Sequence, residues 1–125
     1  MMWRKARLFG DENTASRILD APSPGHAKAL GREVRGFDEA TWVRERWDIV
    51  VAGSLAKFAV PELRSYLVES SDRILVEASP HDRVWGIGVT ADDQSASDPT
   101  MWRGLNLLGF ALMEARDQLQ RQEAG

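Results

Sequence analysis

Residues 73–89 read RILVEASPHDRVWGIGV. Ile74, Val76 and Ala78 alternate with Leu75 and Glu77, the two-residue period of a strand. RVWGIGV is read as a second strand, so residues 79–83 are expected to form the turn between them. On both sides of this stretch the apolar residues recur at helical spacing. The stretch therefore decides between an all-helical chain and a mainly helical one with a small β element. Its alternation predicts the second.

On the C-terminal side, TADDQSASDP (90–99) is polar and reads as a loop. TMWRGLNLLGFALMEARDQLQRQ (100–122) reads as the last helix, with Leu105, Leu108, Leu112 and Leu119 on its buried face. On the N-terminal side, ELRSYLVES (62–70) predicts a short helix. DEATWVRERWDIVVAGSLAKFAVPEL (38–63) opens on Asp38 as cap and carries Val43, Trp47, Val50, Ser54, Leu55 and Phe58 near a 3.6-residue period. Pro61 ends or kinks it. Further upstream, Ser23 followed by Pro24 is a good N-cap and first-turn pair, with Gly36 as the stop. Met1 to about Phe9 reads as a helix closed by Gly10, with Trp3, Ala6 and Phe9 at helical spacing. This helix is amphipathic from its first residue, as if its beginning had been cut away. The expected architecture is a single compact helical domain over residues 1–125 with a small β element.

The 125 residues match one ordinary domain, and 43% apolar with 28% charged residues is a globular balance. The net charge of −3 argues against general nucleic-acid binding, which needs a basic footprint. With no cysteine, thiolate nucleophiles, disulfides and Cys-type zinc sites are excluded. That absence fits a reducing cytoplasm. No apolar run approaches the ~20 residues of a membrane span, and the N-terminus lacks a signal-peptide pattern. No repeat or low-complexity segment is found.

Several residues are able to carry chemistry. Lys5 sits between Arg4 and Arg7 and reads either as part of a solvated helix face or as an amine that attacks a carbonyl carbon. Glu77 and Asp82 flank the expected turn, and paired carboxylates serve as acid and base around a glycosidic bond. Both exposed is the plain alternative. His81 and His26 lack ligand spacing, so no metal site is expected. VWGIG lacks the spacing and context of a phosphate-binding glycine loop, and no cofactor is expected. Its glycines, Gly86 among them, allow tight bends or close approach of backbone to a ligand. Trp85 is placed to stack on a flat heterocycle, with core packing as the alternative for it and for Trp102. Asn106, at the start of the last helix, would accompany exposed N–H groups that favour an anion.

Taken in order, KARLFGD, SPGHAKALGREVRGFD, LAKF, LVEASPHDRVWGIG and WRGLNLLGFALMEAR closely resemble the NADAR family along almost the whole chain. The family's strongest block falls on Leu75 to Gly88 and its closing motif on Trp102 to Gly109. The resemblance implies a mostly helical fold with a small β component. It also implies hydrolysis of an N-glycosidic bond to a phosphorylated ribose. The substrates would be aminopyrimidine ribosyl phosphates of the riboflavin pathway or ADP-ribose attached to guanine. Lys5 matches the family lysine ahead of FGD and is the expected Schiff-base amine. Glu77 and Asp82 would move protons, Trp85 and Trp102 would bracket base or ribose, and Lys57 would meet the phosphate. The family carries a further segment ahead of the lysine helix, with a glutamate that is a catalytic candidate. Here the chain opens at MMW. Two readings stay open: a start upstream of Met1, or a shortened form that binds ADP-ribose or a related nucleotide without catalysis.

Overall fold

The computed structural model describes residues 1–124. The helices are α1 (Met2–Leu8), α2 (Glu12–Leu19), α3 (Pro24–Gly31), α4 (Glu39–Lys57), α5 (Pro61–Glu69) and α6 (Leu107–Ala124). Two 3-10 turns, Gln94–Ser97 and Pro99–Met101, lie in the loop between α5 and α6. The chain divides into two compact units, Met1–Ile49 and Val50–Gly125.

In the first unit the junction of α1 and α2 is set by two residues. Gly10 takes a φ of +73°, a left-handed conformation that costs glycine nothing. The Gly10 N–H then donates to the Arg7 carbonyl at 3.1 Å and the Asp11 N–H to the Ala6 carbonyl at 2.9 Å, closing α1. Asp11 is at the same time the cap of α2: its carboxylate accepts the Thr14 N–H at 3.0 Å and the Thr14 hydroxyl at 2.7 Å. It also accepts the Arg35 N–H at 2.9 Å, tying down the turn that follows α3. Ala6, Ala15, Ile18, Leu30 and Val34 form the core of this unit, with Met2, Trp3 and Phe9 packed against it.

Ser23 caps α3 as expected, accepting the His26 N–H at 3.1 Å, but the helix ends at Gly31 rather than at Gly36. Asp38 caps α4 through Thr41, whose N–H lies 3.0 Å and hydroxyl 2.6 Å from the carboxylate. The buried face of α4 runs through Trp42, Ile49, Val50, Val51 and Ser54, whereas Val43 is exposed. In the second unit Phe58, Leu67 and Leu119 form a core with Leu55, Val68, Leu75 and Leu112 around it. Each fully buried side chain of this kind stabilises the fold by roughly 1.5–3 kcal/mol.

The expected β element is not found among the described residues. Residues 73–89 run as coil and turn, and among the described residues segments 74–78 and 83–89 share one backbone bond, Ile87 N–H to the Glu77 carbonyl at 2.9 Å. The reason is competition for acceptors. The carbonyls of Arg83, Val84, Trp85, Gly86 and Ile87 accept from Leu105, Leu107, Leu108, Asn106 and Arg103. A ladder with 74–78 would have to give these up. The same bonds delay α6 to Leu107, well past the sequence expectation of residue 100, and leave Leu105 exposed outside it.

Candidate active site

Lys5 lies on α1 and is half-buried in the first unit. Its Nζ stands 4.8 Å from the ring centre of Phe37 and 5.5 Å from that of Trp42. Phe9 meets the Phe37 ring edge-on, with centroids 5.3 Å apart. Among the described residues no carboxylate forms an ion pair with Lys5. Burial, and secondly the charge of Arg32, hold its pKa below the ordinary lysine value. Both favour the neutral, nucleophilic amine. Arg4 and Arg7, its basic neighbours in sequence, are not sources of this shift. Arg7 is engaged with Glu12 at 3.0 Å and stands over the Trp3 ring at 5.5 Å. The sequence offers no direct sign of Arg32, which arrives from the end of α3.

In the second unit the stretch 75–87 is organised around Asp82 and Asn106. The Asp82 Oδ1 accepts the N–H groups of Val84 at 3.0 Å and Trp85 at 2.8 Å, so this side chain shapes the turn that presents Trp85. Asp82 is partly buried; Glu77 and His81 are exposed. The Glu77 side chain has no ion pair or hydrogen bond among the described residues. Trp85 is half-buried, and its indole N–H meets no acceptor among the described residues. Trp102 differs: its Nε1–H donates to the Ala96 carbonyl at 3.0 Å and its ring lies 6.4 Å from Phe110.

Asn106 is fully buried and adopts a φ of +52°. Its Nδ2–H donates to the Leu75 carbonyl at 2.9 Å and its Oδ1 accepts the Glu77 N–H at 2.9 Å. Sequence reasoning expected open N–H groups at this helix start. Instead the N–H groups of Asn106, Leu107 and Leu108 donate to Gly86, Val84 and Trp85 at 2.9, 3.1 and 3.1 Å, so they hold the loop. Gly86 is where protein backbones converge: a Cβ there would lie 2.8 Å from the Asp82 carbonyl and 2.9 Å from that of Glu77. Lys57 is exposed, with Nζ 5.5 Å from the Phe58 ring centre. Arg116, not singled out from sequence, is buried and donates to the Ser70 hydroxyl at 2.8 Å and the Arg73 carbonyl at 2.9 Å. Its position on α6, beside Ala111, Ala115 and Leu119 on the buried face, was the available signal. Among the described residues no group of three or more His, Asp or Glu side chains is placed to hold a metal ion. None of their helices is long and apolar enough to cross a membrane.

Comparison with known proteins adds the family. The model of the NADAR domain matches residues 1–120. The chain belongs to the NADAR family. This NADAR chain is 40% identical over 122 residues to the N-glycosidase R617 of Acanthamoeba polyphaga mimivirus, covering 97% of this chain and 72% of that protein. It is 34% identical over 123 residues to the chloroplastic riboflavin biosynthesis protein PYRR of Zea mays, covering 90% of this chain and 18% of that one. It is 30% identical over 116 residues to the N-glycosidase YbiA of Escherichia coli strain K12, covering 92% of this chain and 66% of that one.

Proposed function

We propose that this NADAR protein is an N-glycosidase that hydrolyses the bond between an amine and C1 of a phosphorylated ribose through a Schiff base on Lys5. Two relatives are named N-glycosidases and a third is a riboflavin biosynthesis protein. The observation that carries the mechanism is the setting of Lys5, a half-buried amine with a lowered pKa and no carboxylate partner among the described residues.

The chemistry follows from the substrate. The glycosidic nitrogen donates its lone pair to C1 as the C1–O4 bond breaks and O4 takes a proton, giving an open-chain iminium. Neutral Lys5 Nζ adds to C1, and the π pair returns to the substrate nitrogen. One proton passes from Nζ to that nitrogen. The amine then leaves with its bonding pair, while the Nζ lone pair forms the Lys5–C1 iminium. Water adds to C1 and loses a proton, and collapse of the carbinolamine returns Lys5 and the sugar aldehyde. The net reaction consumes one water and needs no oxidant. Proton transfers are assigned to Glu77 and Asp82. Trp85, whose indole N–H meets no acceptor among the described residues, is assigned to the base, and Lys57 to the phosphate. Trp102 and Asn106, whose polar groups are engaged within the protein, are assigned to shaping the loop. The proposed substrate classes are aminopyrimidine ribosyl phosphates and ADP-ribosylated guanine, and the proposed setting is the cytoplasm.

The test offers both substrates to the purified chain and measures release of the amine, with and without borohydride. Turnover of at least one, inactivation by borohydride during turnover, and a ribosyl adduct mapped to Lys5 are expected. Lys5→Arg keeps the charge but forms no imine, so it should bind and not turn over. Turnover retained in Lys5→Arg would remove the Schiff base. Binding of ADP-ribose without hydrolysis of either substrate would identify a binding module instead.

A further inference from the structure

We propose that the rings of Phe37 and Trp42 form a cage that stabilises positive charge at Lys5 Nζ, both in the resting ammonium and in the iminium made there. This rests on the reading of Lys5 as the Schiff-base amine. The geometry is direct: Nζ lies 4.8 Å from one ring centre and 5.5 Å from the other, inside the ~6 Å reach of a cation–π contact. Trp42 is 8% exposed and Phe37 45% exposed, so one wall is built into the unit and the other is reachable from solvent. Phe9 braces that second wall from its edge.

The charges around the amine make the rings matter. Arg32 at the end of α3 repels a cation at Nζ. On its own helix Arg4 and Arg7 are also positive, and the carboxylate of α2 nearest in sequence, Glu12, is taken by Arg7. From α4, which supplies Trp42, no carboxylate pairs with Lys5 among the described residues. A carboxylate partner would have held the lysine as ammonium and removed its nucleophilicity. Aromatic faces attract the cation more weakly and accept no proton. They leave the neutral amine accessible. They also remain in place once Nζ becomes the iminium nitrogen, which bears the same unit charge at the same atom. From the glycoside that iminium forms with release of the substrate amine; from ribose 5-phosphate its formation consumes one amine, one aldehyde and one proton and releases one water.

The experiment measures Lys5 itself rather than the glycosidase reaction. The pH dependence of acetic anhydride labelling at Lys5, read by peptide mass spectrometry, gives its pKa. Ribose 5-phosphate with cyanoborohydride gives the fraction trapped as imine. In Phe37→Leu the Lys5 pKa should fall by about half a unit, and the trapped fraction at a pH above the measured pKa, where the neutral amine is the reference, should drop roughly threefold, the scale of one partly exposed cation–π contact. Phe37→Tyr keeps a π face and should restore both. Phe37 is exposed enough that the leucine variant should fold, and its melting temperature provides the control. Unchanged pKa and trapping in Phe37→Leu would overturn the cage. A lowered pKa with unchanged trapping would overturn its role in the iminium. If the pKa and trapping move as stated while Lys5→Arg still turns over glycoside, the cage stands and the Schiff-base mechanism fails.

Discussion

Asn106 is a residue whose chemistry the sequence suggested and whose partners only the fold reveals. Its amide pairs with a carbonyl on one side and an N–H on the other, so donor and acceptor are both required. Its left-handed φ of +52° is one that Asn and Asp tolerate better than other side chains. Asn106→Asp therefore keeps shape and backbone tolerance and changes only the donor. A protonated carboxyl still donates to the Leu75 carbonyl; an ionised one opposes it. Burial raises the folded-state pKa of such a carboxyl above the ordinary value near ~3.9, so the stability deficit should grow as pH rises from 5 to 8. It should exceed about 1–3 kcal/mol, the cost of an unsatisfied buried acceptor, once the carboxyl ionises, because a buried charge costs more than a neutral group. Urea denaturation of both proteins at several pH values checks this. A deficit independent of pH would mean the Leu75 bond contributes nothing.

At the scale of elements, the segment 83–87 acts as the cap of α6. Helix starts leave N–H groups without intrahelical partners, and here those of Asn106, Leu107 and Leu108 are met by loop carbonyls rather than by one side chain. Gly86 lets the strands of backbone approach closely enough for this. Gly86→Ala would push a methyl against the Asp82 and Glu77 carbonyls, so the turn must shift. The expected cost is about 1–3 kcal/mol in urea denaturation, with faster amide exchange at residues 106–108. Wild-type exchange at those amides would show that the cap survives. The same bonds explain what the sequence left illegible. The helix caps at Ser23 and Asp38 were readable because each is a local contact across three residues. Alternation in 74–78 was also real, but a strand needs a partner, and its expected partner gives its carbonyls to residues 103–108. α2 has a cap of the same local kind, Asp11 to Thr14 across three residues, so ENTASRIL was legible on the same grounds although the sequence reading assigns it no helix. Of the candidate residues, Lys5 in the first unit and the loop around Asp82 in the second were visible as motifs, whereas Phe37, Trp42 and Arg32 become relevant only through tertiary packing around Nζ.

Across the whole molecule, aspartates at the starts of helices and turns recur in both units, and they tie stability to acid. Asp11 is held at a pKa of about 2, first by the Thr14 hydroxyl and then by the N–H groups of Arg35 and Thr14. Asp38 and Asp93 are lowered in the same way, by the hydroxyl and N–H of Thr41 and of Ser95. Each of these carboxylates is more acidic folded than unfolded, so the unfolded chain binds the extra protons as pH falls. Their contribution is complete above the ordinary aspartate value of 3.8 and is lost as pH descends through the folded value, about 2 for Asp11. Neutral pH leaves it untouched. Asp11→Asn removes the charge and with it this dependence. It should be less stable than the wild type at pH 7, and the two melting curves should converge between pH 4 and about 2, the folded value for Asp11. Asp93→Asn should show the same convergence over a narrower pH span, because its shift is the smaller. Melting by circular dichroism across this range decides it. A gap between wild type and Asp11→Asn that stays constant down to acid would place the role of Asp11 in its shape rather than its charge.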